Sequence, residues 1–131
     1  MRAIDSSAIV KYLSREPGWE RVREVMEEGI LTLNLAVIEI ANALWKKVVR
    51  NGMGLEEVQK IMKAIVEAKF IPLEPFEGYL IDALRIAVEH KVTVYDALFT
   101  AFALKRGLEF VTVDEEQAEV AKALGVKIVL V

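Results

Sequence analysis

Short apolar runs alternate along the chain with longer segments in which apolar residues recur every three or four positions. The runs are typical of buried strands and predict strands over Arg2–Ile4, Ile30–Leu33, Phe70–Leu73, Glu109–Val113 and Val126–Leu130. The longer segments are typical of amphipathic helices; in one of them the apolar residues are Leu55, Val58, Ile61, Met62 and Ile65. Because strands and helices alternate, the pattern predicts an α/β fold whose parallel sheet has helices on both faces.

Residues typical of helix ends set the bounds of the predicted helices. Asp5, Ser6 and Ser7 suit the start of the first helix and Asn34 the start of the third, whereas glycines follow several helices. The predicted helices cover Ala8–Ser14, Pro17–Glu28, Leu35–Arg50, Gly54–Lys69, Pro75–Glu89 and Glu116–Leu124. A further helix follows Val92–Tyr95 and ends at Lys105. No repeat or linker interrupts them, so residues 1–131 are predicted to form a single domain.

Composition excludes several function classes. The 131 residues include no cysteine and one histidine, which excludes a disulfide scaffold, a Cys-based zinc site, an iron–sulfur cluster and thiol catalysis. No window approaches the roughly 18 apolar residues of a membrane span, and Asp5 and Lys11 interrupt the apolar region that a signal peptide needs. We therefore expect a cytoplasmic globular protein. Its hydrophobic fraction of 54% is high, so we also expect an oligomer or a tight partner.

Charge and the scarcity of aspartate direct attention to individual acidic residues. The net charge of −3 argues against binding nucleic acid through overall charge, so phosphate contacts would fall to local bases such as Lys11, Arg15 and Lys46, or to metal ions. Of the 20 acidic residues only four are Asp, and glutamate is the residue that helix surfaces favour.

Two of the aspartates follow predicted strands. Asp5 comes after the first strand and Asp114 after the fourth. In an open parallel sheet the carboxyl ends of strands meet at one edge, where ligands bind, so the two carboxylates are predicted to lie at the same edge. The alternative for each is an N-cap of the helix that follows, and capping does not exclude a second role.

Two further carboxylates lie in largely apolar helical stretches. Glu39 lies among Leu35–Ala41, and Asn42 shares its helical face. Asp96 lies in or near the first turn of the sixth predicted helix, within Val94–Phe99. The alternatives are an exposed edge of an amphipathic helix for Glu39 and a favourable interaction with the helix dipole for Asp96. A buried carboxylate at either position needs a hydrogen-bonding partner or a cation.

Four carboxylates without Cys or His partners suit Mg²⁺ or Mn²⁺, which prefer hard oxygen ligands. Such ions activate water and stabilise the charge on a phosphodiester that is being cut. Competing signatures are missing: the chain has no Walker A loop and no G-x-G-x-x-G motif. Ser7 stands two positions after Asp5, which disfavours an Asp-x-Asp phosphatase.

The order of these residues resembles the PIN-domain ribonucleases, in particular the VapC-like toxins of toxin–antitoxin modules. The resemblance spans essentially the whole chain. It is carried by Asp5–Ser7, by Val37–Leu44 around Glu39, by Val92–Leu98 around Asp96, by the Ala-rich Ala101–Ala103, and by Phe110–Asp114 with a final strand.

The resemblance implies a three-layer PIN-like fold with a parallel sheet of about five strands. It implies a site in which Asp5, Glu39, Asp96 and Asp114 surround one or two Mg²⁺ or Mn²⁺ ions. Residues that support this site are predicted to be Ser6, Ser7, Asn42, Thr112 and, as an outside candidate, Glu116. It also implies a cognate antitoxin partner and a homodimer.

Three functional hypotheses remain at this point. The first is a metal-dependent endoribonuclease that hydrolyses RNA and is the toxin of a toxin–antitoxin pair. The second is a non-catalytic PIN-like module that binds RNA or protein. The third is another α/β binding domain with an accidental pattern, in which Glu39 and Asp96 lie far from Asp5. For the dimer surface, the helices Gly54–Lys69 and Leu35–Arg50 are the candidates.

Overall fold

Five short strands form one parallel sheet. A computed structural model describes all of residues 1–131. Its strands are β1 (Arg2–Ile4), β2 (Ile30–Leu33), β3 (Leu73–Glu74), β4 (Phe110–Thr112) and β5 (Ile128–Leu130). Their order in the sheet is β3-β2-β1-β4-β5, and every neighbouring pair is parallel. The predicted α/β class with a five-stranded parallel sheet is confirmed.

Seven helices cover the two faces of the sheet. They are α1 (Ser6–Leu13), α2 (Trp19–Glu27), α3 (Leu35–Asn51), α4 (Leu55–Val66), α5 (Leu80–His90), α6 (Val94–Arg106) and α7 (Glu115–Ala123). The chain moves in one direction across the sheet from β1 to β3 and in the other from β3 to β5. Because such crossovers are right-handed, α1 to α4 cover one face and α5 to α7 the other.

The core is densest around α6. Seven consecutive residues of this helix, Ala97–Ala103, are buried, because α5 and α7 pack beside it and β1 and β2 lie beneath it. Alanines on this segment allow close approach, while Phe99 and Phe102 fill the space between the layers. The start of α6, which carries Asp96, is therefore held firmly against the sheet.

The sheet has its topological switch point between β1 and β4. The pairs Ala3–Phe110 and Ile4–Val111 align these two central strands, and the backbone N–H of Asp5 still donates to the carbonyl of Val111 at 3.2 Å. The chains that leave β1 and β4 go to opposite faces, which opens a crevice beyond the carboxyl ends of the strands. Asp5 lies at this crevice.

Two predicted boundaries near prolines are wrong. The strand predicted over Phe70–Leu73 lies instead at Leu73–Glu74, because Pro72 has no N–H to donate and only its carbonyl joins β2, accepting from Thr32 at 3.2 Å. The helix predicted over Pro75–Glu89 begins later. A 3₁₀ turn at Glu77–Tyr79 precedes α5, and the Tyr79 hydroxyl bonds to Glu74 at the end of β3.

Asn34 does not cap α3 with its side chain, contrary to prediction. Its backbone is helical, and its Oδ1 accepts from the backbone N–H of Phe76 at 3.1 Å. The residue thus ties the end of β2 to the segment after β3. The second and fourth predicted helices are also shorter than expected, since α2 begins at Trp19 and α4 spans Leu55–Val66.

Large apolar side chains remain exposed on several helices. On α3 they are Ile38, Trp45 and Val49; on α5 they are Leu80, Ile81, Leu84 and Val88. Contiguous apolar surface of this kind is typical of protein interfaces. None of the helices is both long enough and apolar enough to cross a membrane.

Candidate active site

A cavity of about 890 Å³ opens at the carboxyl edge of the sheet, between α1, α3 and the start of α6. Glu39, Asp96 and Asp114 line it together. Ser6 and Ser7 also line it, directly after Asp5, which is buried beneath them. Residues far apart in sequence are therefore brought to one opening, as the strand order predicts.

Asp5 is the buried member of the group, with 1% of its surface exposed. Its Oδ1 accepts from the Ser7 hydroxyl at 2.7 Å and from the backbone N–H of Ala8 at 3.1 Å, so it caps α1. Its Oδ2 accepts from the Thr112 hydroxyl at 2.6 Å. Burial raises the pKa of Asp5 to about 6, although these hydrogen bonds stabilise the ionised form.

Glu39 lies one turn into α3 and faces the opening. Its Oε1 accepts from the Ser6 hydroxyl at 2.9 Å, while its Oε2 makes no hydrogen bond to the protein. Partial burial raises the pKa of Glu39, and the charges of Asp96 and Asp5 raise it further, against the lowering effect of the Ser6 bond. The mutual repulsion indicates that these three carboxylates share one electrostatic environment.

Asp96 lies in the first turn of α6. The N-cap Thr93 accepts a hydrogen bond from the backbone N–H of Asp96 at 3.2 Å, which fixes the start of the helix. Asp96 Oδ1 accepts from Gln117 Nε2 at 3.2 Å. Partial burial raises the pKa of Asp96, and the charges of Asp114 and Glu116 add to the effect.

Asp114 caps α7, as one of its two sequence interpretations predicts, and also faces the cavity. Its Oδ1 accepts from the backbone N–H groups of Glu116 at 2.9 Å and Gln117 at 3.1 Å. Its own N–H donates to the Thr112 hydroxyl at 3.0 Å. Thr112 thus connects the carboxylate of Asp5 to the backbone of Asp114, the residues that follow the two central strands.

The fit to a divalent cation rests on donor chemistry. Glu39, Asp96 and Asp114 each keep one carboxylate oxygen free of hydrogen bonds to the protein. No group of three or more His, Cys, Asp or Glu side chains is arranged to hold a metal ion as it stands. Since oxygens bind Mg²⁺ or Ca²⁺ at about 2.0–2.6 Å, side-chain rotations would have to draw the free oxygens inward.

Of the five predicted supporting residues, three donate hydrogen bonds to site carboxylates and two do not. Ser6, Ser7 and Thr112 donate to site carboxylates. The exposed Asn42 lines the cavity without a hydrogen bond to a site carboxylate. The exposed side chain of Glu116 lies outside the cavity lining and acts on Asp96 only through its charge. The roles of all five remain predictions.

Gln117 is a site residue that the sequence pattern did not single out. It is buried and lines the cavity; its side chain bonds to Asp96 and its backbone N–H to Asp114, while its Oε1 is buried without a partner. Its place three residues after an N-cap aspartate is a capping-box signal, which would mark it as a helix-start residue. That signal points the side chain back toward Asp114, whereas the structure directs it to Asp96.

Two of the three residues predicted to contact phosphate lie outside the cavity lining. Lys11 Nζ donates to the carbonyl of Val131 at 2.7 Å. The Arg15 guanidinium stacks over Tyr12 and Trp19, with its Cζ 4.7 and 4.3 Å from the ring centroids. Neither residue lines the cavity, whereas Lys46 does, together with Lys47 and Arg50.

A parallel sheet with acidic residues beyond its central strands defines a class of α/β proteins with a carboxylate-lined crevice. Within this class, residues 3–123 match the PIN domain family. The chain is 35% identical over 124 residues to a protein named Ribonuclease VapC3 from Pyrobaculum aerophilum, a match that covers 92% of this chain and 95% of that protein. It is 30% identical over 129 residues to Exonuclease VapC9 of the same organism, with 98% and 92% covered.

Solved structures have the same fold. The crystal structure of PAE2754 from Pyrobaculum aerophilum is similar with a TM-score of 0.68 and 29% identity, covering 97% of this chain and 82% of that one. A toxin–antitoxin complex from Klebsiella pneumoniae is similar with a TM-score of 0.63 and 14% identity, covering 87% of each chain. The chain belongs to the PIN domain family and is a VapC homologue.

Proposed function

We propose that this chain is a metal-dependent endoribonuclease and the toxin of a toxin–antitoxin pair. The observation that carries the proposal is the absence of a cationic partner for four neighbouring carboxylates. Ten ion pairs join acids and bases of the chain, and none includes Asp5, Glu39, Asp96 or Asp114. Partly or fully buried negative charges without such partners are stabilised by a bound cation.

When bound, Mg²⁺ or Mn²⁺ would supply an activated water and would neutralise charge on the scissile phosphodiester. The side chains prepare this chemistry. Thr112 and Ser7 fix both oxygens of Asp5, Ser6 orients Glu39, and Gln117 orients Asp96. Asp5, Glu39 and Asp96 would hold the cation, with Asp114 completing the cluster directly or through water. In-line attack of water on phosphorus, with the water's proton passing to solvent, would break the bond to the 3′ oxygen; that oxygen would take a proton from solvent, which leaves a 5′-phosphate and a 3′-hydroxyl.

Cleavage within the RNA, rather than from an end, is part of the proposal and is open to a direct test. The two curated relatives are named as a ribonuclease and as an exonuclease, so the names leave this point open. The cavity continues past the carboxylates along α3 toward Arg50 and Asn51. A strand therefore has room to leave the site along α3, which cleavage within the RNA and cleavage from an end both require.

A covalently closed RNA circle tests this proposal because it has no ends. We expect the purified protein to linearise the circle in Mg²⁺ or Mn²⁺ and to leave it intact in EDTA. If only linear RNA of the same sequence is degraded, the protein is an exonuclease and the endonuclease assignment is wrong.

The partners are part of the same proposal. The protein similar in fold from Klebsiella pneumoniae was solved as a toxin–antitoxin complex, and we propose a cognate antitoxin for this chain. We also propose a homodimer, for which the exposed Trp45 and Val49 on α3, which lie outside the cavity lining, supply apolar surface.

Replacing Gln117 by Leu tests the support of Asp96. Leu keeps the volume but removes the donor to Asp96 and the unpartnered Oε1, so we expect thermal stability to change little. Loss of a hydrogen bond that orients a metal-binding carboxylate lowers activity and metal affinity by about 10–100-fold. Cleavage rates and Mn²⁺ calorimetry provide the measurement, and Gln59→Leu on the exposed side of α4 is the matched control. Wild-type Mn²⁺ affinity and rate in Gln117→Leu would contradict the role.

A further inference from the structure

The charge of the side chains that line the cavity changes from negative to positive along α3. Its carboxylate end contains Glu39, and its opposite end contains Lys46, Lys47 and Arg50. Glu39, Lys46 and Arg50 lie on one face of α3, because residues seven and eleven positions apart return to the same side of a helix. At about 1.5 Å per residue, the two cations lie roughly 10 and 16 Å along the axis from Glu39.

Lys46 and Arg50 are free to bind an external anion. Both are exposed, and neither forms an ion pair with the protein. The third cation, Lys47, is already paired with Glu16 at 3.6 Å, which neutralises the one carboxylate at this end of the cavity. In a chain with a net charge of −3, this is a local positive surface inside the same cavity as the acidic cluster.

We propose that Lys46 and Arg50 form a phosphate-binding track for the RNA strand that leaves the carboxylate cluster along α3. The inference rests on the proposed function, since RNA is the substrate assigned there. Stacked nucleotides advance about 3.4 Å along a strand, so these cations contact phosphates within about three and five nucleotides of the cut. RNA is favoured over an acidic protein segment because the cations line the same cavity as the carboxylates at which the phosphodiester is proposed to be cut.

The track assigns measurable roles to the two residues. Phosphate contacts contribute affinity and position without reading sequence, so their loss weakens binding of all sequences similarly. The contacts are remote from the reacting atoms, so the effect falls on KM rather than on kcat. A substrate too short to reach Lys46 does not benefit from them.

Binding is measured first, with a fluorescent twelve-nucleotide single-stranded RNA of mixed sequence. The Asp96→Asn background in Mg²⁺ prevents cleavage, and KCl is varied. Lys46→Ala/Arg50→Ala is expected to raise Kd by about 10-fold and to reduce the slope of log Kd against log salt by about 1.4, since each phosphate contact on a single strand contributes about 0.7. Lys60→Ala/Lys63→Ala on α4 is the matched control, because these lysines also lack ion pairs and do not line this cavity. We expect wild-type binding from the control.

Cleavage of long and short substrates is measured second. The double variant is expected to raise KM for the twelve-nucleotide RNA by about 10-fold, and for a dinucleotide, which ends before Lys46, by less than about twofold. An unchanged KM and an unchanged salt slope, or equal losses in the α4 control, would overturn the track while leaving the nuclease intact. Weaker binding of a poly-glutamate peptide with unchanged RNA binding would overturn it in favour of a protein occupant. Reduced RNA binding in a protein that cleaves no RNA would support the track and refute the proposed function.

Discussion

Replacement of Asp5 by Asn is expected to abolish RNA cleavage and, at the same time, to make the metal-free protein more stable near neutral pH. The cleavage rate should fall by about 10³-fold, the scale of loss when one electrostatic catalytic group is removed. Asn keeps an oxygen that accepts from Ser7 and from the N–H of Ala8, so α1 retains its cap. What disappears is a carboxylate charge in a buried position.

The sign of the stability change follows from the pKa of Asp5, which burial raises to about 6. The native state therefore binds this proton more tightly than the unfolded chain, whose Asp titrates near 3.9. Near pH 3.5 Asp5 is protonated in the native state, and its burial lowers the free energy of unfolding by almost nothing. The loss of stability grows as the pH rises to about 6. Above that it is constant at about 3 kcal/mol, because each tenfold difference in proton affinity between the two states corresponds to about 1.4 kcal/mol.

Denaturant unfolding in EDTA at several pH values measures this difference. Asp5→Asn should exceed the wild type by up to about 3 kcal/mol above pH 7, and the two should converge near pH 3.5. Asp82→Asn is the matched control, since Asp82 is partly exposed and pairs with Arg85 and Lys105 on the surface. A pH-independent difference between Asp5→Asn and the wild type would contradict a destabilising buried charge at Asp5.

Replacement of Thr112 by Val is expected to destabilise the metal-free protein most where Asp5 is ionised. Thr112 is fully buried and donates to Asp5 Oδ2 while accepting from the N–H of Asp114. Removing its hydroxyl leaves an ionised buried carboxylate short of a donor and a backbone N–H without its acceptor. Hydrogen bonds to charged groups are worth about 1.5–3 kcal/mol, so we expect a loss of about 2 kcal/mol at pH 7.5 and a smaller one at pH 4.

Thr32→Val is the matched control for this effect. Thr32 is equally buried on β2, which β1 separates from β4, but its hydroxyl donates to the neutral carbonyl of Ile4. Its loss should cost free energy of unfolding that does not depend on pH in this range. Equal pH dependence in the two variants would show that Thr112 stabilises the sheet without acting on the charge of Asp5. Thr112→Ser, which restores the hydroxyl, should recover most of the loss.

The sheet and its helices were predictable because apolar periodicity alone separates them. An interior strand such as β2, buried along its whole length, is recognisable as a short run that is apolar except for Thr32. The segment around Pro72 and Pro75 was mispredicted because its structure depends on pairing with β2 and on the hydrogen bond from Phe76 to Asn34. These are contacts between distant segments, and local propensity carries little information about them.

The residues of the candidate site also divide into those that were predictable from the sequence and those that depend on contacts between distant segments. Asp5 and Asp114 were predictable because strand ends in a parallel sheet converge. Gln117 was not, because its partner Asp96 belongs to another helix. Lys11 was misassigned because its side chain turns to the carbonyl of Val131, at the far end of the chain. Which face of α1 meets which segment is a property of the packed layers.

The central claim is metal-dependent RNA cleavage at the carboxylate cluster, and the most direct test adds Asp96→Asn to the RNA-circle assay. Wild type, Asp96→Asn and the surface control Asp82→Asn are compared in Mg²⁺, in Mn²⁺ and in EDTA. We predict linearisation by wild type and Asp82→Asn with either metal, none in EDTA, and a loss of about 10³-fold in Asp96→Asn. Equal cleavage by wild type and Asp96→Asn, or cleavage that persists in EDTA, would contradict this claim.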